Sequence, residues 1–347
     1  MGGVDPQPVH ALAAAAGLGP VRGVAPMAGG KNNRVYRVET AAVVALLKSY
    51  FRHPDDPRDR LGTEFAFSRF AWSAGARCIP QPLACDPAAG LGLFEFVHGR
   101  SLHGTVAGEA AVDQAIDFYR TLNRAKADPA AAELPKASES CFSLDEHFGT
   151  IGRRVERLKT IPVGAAVDAA AAGFVREDLL PAWQAVLAGA RAAAASHKYR
   201  TDEPLGPADR VLSPSDFGYH NAILAHDGRL RFIDFEYAGW DDPAKLVCDF
   251  FCQPAVPAPA AAFDRFARAV AAELPGPAAH FARAGLLLPV YRVKWVCILL
   301  NDFLPVGGSR RAFSGSAAEQ ETRKANQLAK ARAALAVITP VPTRKVA

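Results

Sequence analysis

Ser213-Pro214-Ser215-Asp216-Phe217-Gly218-Tyr219-His220-Asn221, followed by Phe232-Ile233-Asp234-Phe235-Glu236, is the stretch on which the reading of this chain turns. Asp216 and Asn221 stand five positions apart, and Asp234 closes the apolar run that begins at Leu230. Phosphoryl transfer calls for such a set. One carboxylate orients the acceptor hydroxyl and takes its proton late, while an amide oxygen and a second carboxylate hold magnesium on the phosphates. Asp216 is the candidate base. Asn221 and Asp234 are the candidate metal ligands, because a neutral amide oxygen and a carboxylate are hard donors suited to Mg2+. Each of these residues alone reads as ordinary turn chemistry, since Asp and Asn are common in turns. The spacing and the strand context together carry the functional reading.

Upstream, Lys48 ends an apolar run and Glu64 lies on the helical pattern that follows. That order places an ammonium on nucleotide phosphates with a carboxylate behind it. Gly29-Gly30-Lys31-Asn32-Asn33 precedes both. Glycine lets backbone N–H groups approach phosphate oxygens, and Asn accepts left-handed backbone, so Gly29, Gly30, Asn32 and Asn33 are candidate phosphate contacts. The turn is neither a Walker A loop nor a G-x-G-x-x-G.

The periodicities around these residues predict the fold class. Val35 to Val38 reads as a strand and Ala42 to Leu47 as a second that ends in Lys48. Arg60 to Ser73 reads as a helix stopped by Gly75. Ile79 to Ala84 and Leu91 to Val97 read as strands, and Gly99 and Gly104 as a hinge-like connection. From Gly108 the character becomes helical: Glu109 to Arg124, Leu144 to Leu158, and Ala165 to Ala195. A β patch returns at Val211 to Phe235. Ala278 to Phe303 reads as a helix kinked or broken at Pro289, and Glu319 to Ile338 as a basic amphipathic helix. Asp242, before Pro243, reads as a helix cap. Tyr291, Arg292, Lys294 and Trp295 read either as a surface face or as a wall of an acceptor pocket. The class is α+β and bilobal, divided into a nucleotide-binding lobe at 1–97 and a helical lobe at 98–347 that carries the catalytic loop and acceptor site.

Bulk properties narrow the function. The chain has 347 residues, half of them hydrophobic, which excludes disorder and allows a large core. The net charge is +5 without a dense basic block, so nucleic acid is not an expected partner. The same charge disfavours a polycationic acceptor, which needs an acidic cleft. The six cysteines form no C-x-x-C pair and read as buried free thiols. The first residues lack the basic front and long apolar core of a signal peptide, and Arg292 and Lys294 interrupt the longest apolar run. No membrane insertion is expected, and a reducing cytoplasm is the expected compartment.

The order of glycine turn, Lys48, Glu64, the run Leu93-Phe94-Glu95-Phe96-Val97, the Asp216 loop with Asn221, and Ile233-Asp234-Phe235-Glu236 resembles the aminoglycoside phosphotransferase family. That family is related to choline and ethanolamine kinases and has a protein-kinase-like fold. The likeness runs from Val24 to Asp249. It implies a small β-rich N-lobe, a larger mainly helical C-lobe, ATP with Mg2+ between them, and transfer to a hydroxyl of a small molecule. It further implies that the backbone at Glu95, Phe96 and Val97 meets adenine, that Lys48 meets phosphates and Glu64 holds it, that Asp216 is the base, and that Asn221 and Asp234 hold magnesium. The family's usual His-Gly-Asp opening is replaced here by Pro214-Ser215-Asp216, and Glu236 resembles the choline kinase side of the group, which marks a divergent branch. The acceptor is left open among a sugar, an amino alcohol and an aminoglycoside-like molecule. The alternative is a nucleotide-binding pseudokinase acting as a regulatory or scaffold protein. A protein kinase is disfavoured, because no A-P-E motif is visible.

Overall fold

The computed structural model describes residues 4–27, 33–52, 58–304 and 317–338. In chain order its main elements are α1 (Pro6–Ala15), β1 (Val21–Met27), β2 (Asn33–Thr40), β3 (Val44–Tyr50), α2 (Arg60–Ser73), β4 (Pro82–Asp86), β5 (Leu91–Glu95), β6 (Gly99–Ser101), α3 (Glu109–Arg124), α4 (Pro129–Ala132), α5 (Leu144–Leu158), α6 (Ala166–Phe174), α7 (Leu180–Ser196), β7 (Val211–Ser213), β8 (Ala222–Ala225), β9 (Leu230–Phe232), β10 (Gly239–Asp241), α8 (Pro243–Cys252), α9 (Phe263–Ala271), α10 (Pro277–Leu299) and α11 (Ala317–Ala336). They form two compact units. One comprises Met1–Ser138, Val211–Asp241 and Ala255–Glu273; the other comprises Glu139–Arg210, Asp242–Pro254 and Leu274–Ala347.

The first unit is built on an antiparallel sheet of order β1-β2-β3-β5-β4. Alternate residues of β2 and β3 face one way, so Tyr36, Val38, Ala45 and Leu47 form one buried surface with Leu91 and Leu93. Helix α1 covers that surface with Val9 and Leu12. Each valine or leucine taken from water here stabilises the unit by about 1.5–3 kcal/mol. Asp5 caps α1 by accepting from the Gln7 N–H at 3.0 Å, and Pro6 opens its first turn. Neither α1 nor β1 is anticipated by the periodicity of the sequence. The Ala-rich start has too few large apolar residues to mark a helical stripe, and Gly23 and Pro26 interrupt the alternation of β1.

Several boundaries differ from the sequence reading for identifiable reasons. Strand β3 starts at Val44 rather than Ala42, because Thr40 Oγ1 accepts from the N–H groups of Ala42 and Val43 and closes a turn there. It continues to Tyr50, so Lys48 lies inside the strand, opposite Val35 on one side and Gly92 on the other. Strand β4 begins at Pro82 rather than Ile79, since Pro80 has no N–H for a ladder. Strand β5 ends at Glu95 rather than Val97. Gly99 is in β6 rather than a hinge. A Cβ there would stand 2.3 Å from the Leu224 carbonyl oxygen, so only glycine permits this pairing with β8.

The rest of the first unit holds two small sheets, β10-β7 and β6-β8-β9. Helix α3 supports them. Asn123 donates to the Leu212 carbonyl at 3.0 Å and accepts from the Leu212 N–H at 2.8 Å, fixing β7 just ahead of the Asp216 loop. Tyr119 donates to the Val270 carbonyl at 3.0 Å and ties α3 to α9.

In the second unit α10 packs against α5, α7, α8 and α11. By length and composition it could cross a bilayer, but 67% of its most apolar window is buried inside the protein, as a core helix requires. It runs unbroken through Pro289, which is itself buried. Packing on several sides holds the helix where one hydrogen bond is missing. The segment 165–195 is not one helix. Helices α6 and α7 are separated by a π-helical turn, Val175–Leu179, because Pro181 has no N–H to offer the preceding turn.

The Tyr291–Trp295 cluster is not a surface face. Lys294 is buried and donates to both Asp249 oxygens at 2.8 Å, and Trp295 Nε1 donates to the same carboxylate at 3.0 Å. Asp242 caps α8 by accepting from the Ala244 N–H at 2.7 Å. It also accepts from Arg283 Nε at 2.8 Å and lies 3.0 Å from His147 Nε2. All six cysteines are free, and burial pushes the Cys78 thiol up to about 11 and Cys297 up to about 12.

Candidate active site

Lys48 is held from three directions. The strand register sets it opposite Gly92, where a Cβ would meet the Phe94 ring at 2.9 Å. Its Nζ donates to Glu64 Oε1 at 2.7 Å and to Asp234 Oδ1 at 2.9 Å. Glu64, buried on α2, accepts in addition from the Tyr50 hydroxyl at 2.6 Å and from the Phe235 N–H at 3.3 Å. Burial opposes the charge on Lys48, but the two carboxylates outweigh it and hold the ammonium well above the ordinary lysine range. Burial pushes the Glu64 carboxyl up, and Lys48 and Tyr50 pull it back.

Asp234 does not lie in a strand. β9 stops at Phe232, and Asp234 turns into the left-handed region at φ 69°. Its side chain remains 36% exposed, with Oδ1 on Lys48. The Ile233 N–H donates to the Asn221 carbonyl at 2.9 Å, and Ala222 pairs with Phe232. The Asn221 and Asp234 loops are therefore side by side.

Asp216 follows Ser215, which also has left-handed backbone at φ 66°. Such conformations in non-glycine residues concentrate at functional sites. Asn221 Nδ2 donates to the Asp216 carbonyl at 3.0 Å and to its Oδ2 at 3.2 Å, while His220 Nε2 stands 3.1 Å from Oδ1. Beneath both loops is an aromatic cluster. Phe118 stacks on Phe232 at 5.3 Å between centroids and meets Phe217 edge-on at 5.8 Å. The residue after Asp216 and the residue two before Asp234 thus pack on one ring of α3.

Glu95, Phe96 and Val97 line a cavity of about 90 Å³ that also reaches Lys48, Glu64, Ile233 and Asp234. Val97 lies past the end of β5, so its backbone N–H is not held by the sheet. Asn33 donates through Nδ2 to Glu236 Oε2 at 3.2 Å, which ties the start of β2 to the Asp234 loop. Gly29, Gly30 and Asn32 lie outside the described residues. The sequence reading did not single out Tyr50, Phe118 or Asn123. Nothing in their spacing marks them: Phe118 meets Phe232 and Asn123 meets Leu212, both distant in the chain.

The geometry suits a magnesium nucleotide. Among the described residues no group of three or more His, Cys, Asp or Glu side chains could hold a metal by itself. A cation shared with phosphate oxygens needs only one or two protein donors. Asp234 offers a partly exposed carboxylate, and Asn221 donates through its amide nitrogen to Asp216, which leaves its oxygen as the hard donor.

A family model described as APH, phosphotransferase enzyme family, matches residues 23–280, most of the chain. The chain belongs to that family. As an APH phosphotransferase it is a small-molecule kinase in class. No curated protein sequence matches it. Among solved structures it is similar to spectinomycin phosphotransferase APH(9)-Ia in complex with ADP and spectinomycin, at 13% identity and TM-score 0.57, covering 95% of this chain and 98% of that one. It is also similar to choline kinase LicA from Streptococcus pneumoniae, at 16% identity and TM-score 0.55, with 96% and 99% covered. A third is macrolide 2'-phosphotransferase MphH from Brachybacterium faecium, at 18% identity and TM-score 0.53, with 92% and 97% covered. At such identities the likeness establishes the fold, which is the kinase-like α+β fold expected from the sequence.

Proposed function

We propose that this APH phosphotransferase moves the γ-phosphate of ATP, in the presence of Mg2+, to a hydroxyl of a small molecule in a reducing, cytoplasmic compartment. The observation that carries the reading is the convergence on Lys48 of Glu64 and Asp234, with the Asn221 loop joined to the Asp234 loop by the Ile233–Asn221 hydrogen bond.

In this reading the ammonium of Lys48 binds nucleotide phosphates, and Glu64 and Tyr50 keep it aimed. The backbone at Glu95 to Val97 faces the base of the nucleotide. Asp216, with its side chain 39% exposed, orients the acceptor hydroxyl and accepts its proton as the new P–O bond forms. Asn221 and Asp234 would hold magnesium, which when bound neutralises charge on the phosphate oxygens. Catalysis is positioning and charge compensation, with no covalent step on the protein. The acceptor class is proposed only as a small alcohol: a sugar, an amino alcohol or an aminoglycoside-like molecule.

The test compares ATP consumption and nucleotide binding, with and without magnesium, in the native protein, Asp216→Asn and Asp234→Asn. The expected result is that Asp216→Asn lowers kcat about 10²–10⁴-fold with nucleotide affinity retained, while Asp234→Asn weakens the magnesium-dependent part of binding. Undiminished turnover in either variant removes the assigned role. Normal magnesium-dependent binding with no turnover across a broad panel of hydroxyl acceptors would replace the kinase reading with the scaffold one.

A further inference from the structure

Asp216 has neighbours on both carboxylate oxygens. Asn221 Nδ2 donates to Oδ2 at 3.2 Å, and His220 Nε2 stands 3.1 Å from Oδ1. An ionised carboxylate only accepts, so Nε2 is the nitrogen that carries the proton in this contact. The imidazole is held rather than free: its side chain is 14% exposed, and it lies in a single turn of 3₁₀ helix, Tyr219–Asn221, whose Tyr219 is buried. Its other nitrogen, Nδ1, is buried and has no hydrogen-bond partner among the described residues. Among the described residues the ring's polar contact goes to the carboxylate. Of the two residues before Asp216, Pro214 has no polar side chain, and Ser215 donates its hydroxyl to the Ser138 carbonyl.

We propose that His220 is a positioning residue for phosphoryl transfer. Its Nε2–H, together with the amide of Asn221, locks the rotamer of Asp216 so that the carboxylate stays presented to the acceptor hydroxyl. The inference rests on the kinase reading and adds to it a second support for the base. The proton of the acceptor goes to Asp216; His220 keeps its own.

Two substitutions separate positioning from bulk structure. His220→Leu removes the donor, and His220→Gln places an amide N–H at comparable reach. The probe is magnesium-dependent ATP hydrolysis with water as acceptor, alongside thermal midpoint and displacement of a fluorescent ATP analogue. His220→Leu is expected to lower kcat about 10²-fold, the cost of a misplaced group, with the KM for ATP, analogue affinity and thermal midpoint near native values. His220→Gln is expected to recover most of the loss. In an Asp216→Asn background His220→Leu should cost nothing more, because the two residues act as one unit. Independently of turnover, the His220 ring should give an Nε2–H nitrogen signal in the nucleotide-free protein that moves on Asp216→Ala. A native protein that turns over ATP while His220→Leu keeps full kcat, or a ring signal indifferent to Asp216, overturns this inference alone. A native protein that turns over neither ATP nor any acceptor overturns the kinase reading and the inference with it.

Discussion

Lys48 Nζ lies 2.7 Å from Glu64 Oε1, and both side chains are almost wholly withdrawn from solvent. A buried pair of this kind is costly to break from one side, because the remaining charge is left with poor solvation. Glu64→Ala should therefore destabilise the protein by about 3–5 kcal/mol and raise the KM for ATP, since Tyr50 loses its acceptor and Lys48 is left to Asp234. Glu64→Gln should keep much of the stability and lose mainly nucleotide affinity. Urea unfolding and a titration with MgATP measure the two effects separately.

Ser215 holds left-handed backbone at φ 66° immediately before Asp216. An L-residue is disfavoured there by about 1–2 kcal/mol, and glycine returns about 0.5–1 kcal/mol of that through its freer unfolded chain. Ser215→Gly should raise the unfolding free energy by about 0.5–1 kcal/mol. Chemical denaturation checks it. A loss of stability would mean that the hydroxyl contact with Ser138 outweighs the backbone strain.

Gly239 works in the opposite sense. It has φ 154°, and a Cβ there would lie 2.2 Å from the Pro135 carbonyl oxygen and 2.7 Å from the Ala137 nitrogen. Backbone atoms cannot swing aside as a side chain does. Gly239→Ala should cost about 1–3 kcal/mol, read as a lowered thermal midpoint.

Acid should weaken the fold through His147. Burial pushes its imidazole below the ordinary histidine range, against the pull of Asp242. The unfolded chain then takes up a proton at pH values where the folded chain does not. Stability is fully present above the unfolded pKa, about 6.5, and falls as pH drops below it towards the lowered folded value. Arg283 and His147 hold the Asp242 carboxyl well below the usual carboxylate range despite its burial, so its contribution is lost only in stronger acid. Urea midpoints between pH 5 and 8 should decline on the acid side, and His147→Gln should flatten that slope.

Much of the site is legible along the chain because its parts are local. Asp216 and Asn221 sit in one loop, and their spacing is a property of that loop alone. The helices Arg60–Ser73, Glu109–Arg124 and Leu144–Leu158 emerge with their observed bounds, since their stripes and caps are written in consecutive residues. Strand ends are less legible. Where β3 stops depends on what Tyr50 pairs with in β2, and no local pattern encodes that. The reading of Lys294 as part of a surface face missed its place, because a lysine is buried only when a distant carboxylate, here Asp249, is there to receive it.

The chain's order of residues by itself determined the α+β class, the identity of the candidate base and metal ligands, and the presence of Lys48 and Glu64, all through periodicity and short-range spacing. Tertiary structure alone decided that Glu64 and Asp234 share one ammonium and that Lys294 is buried against Asp249. The physical reason is that charge pairing and burial act across space between residues far apart in the chain, and their strength is set by the distance and dielectric that only folding creates.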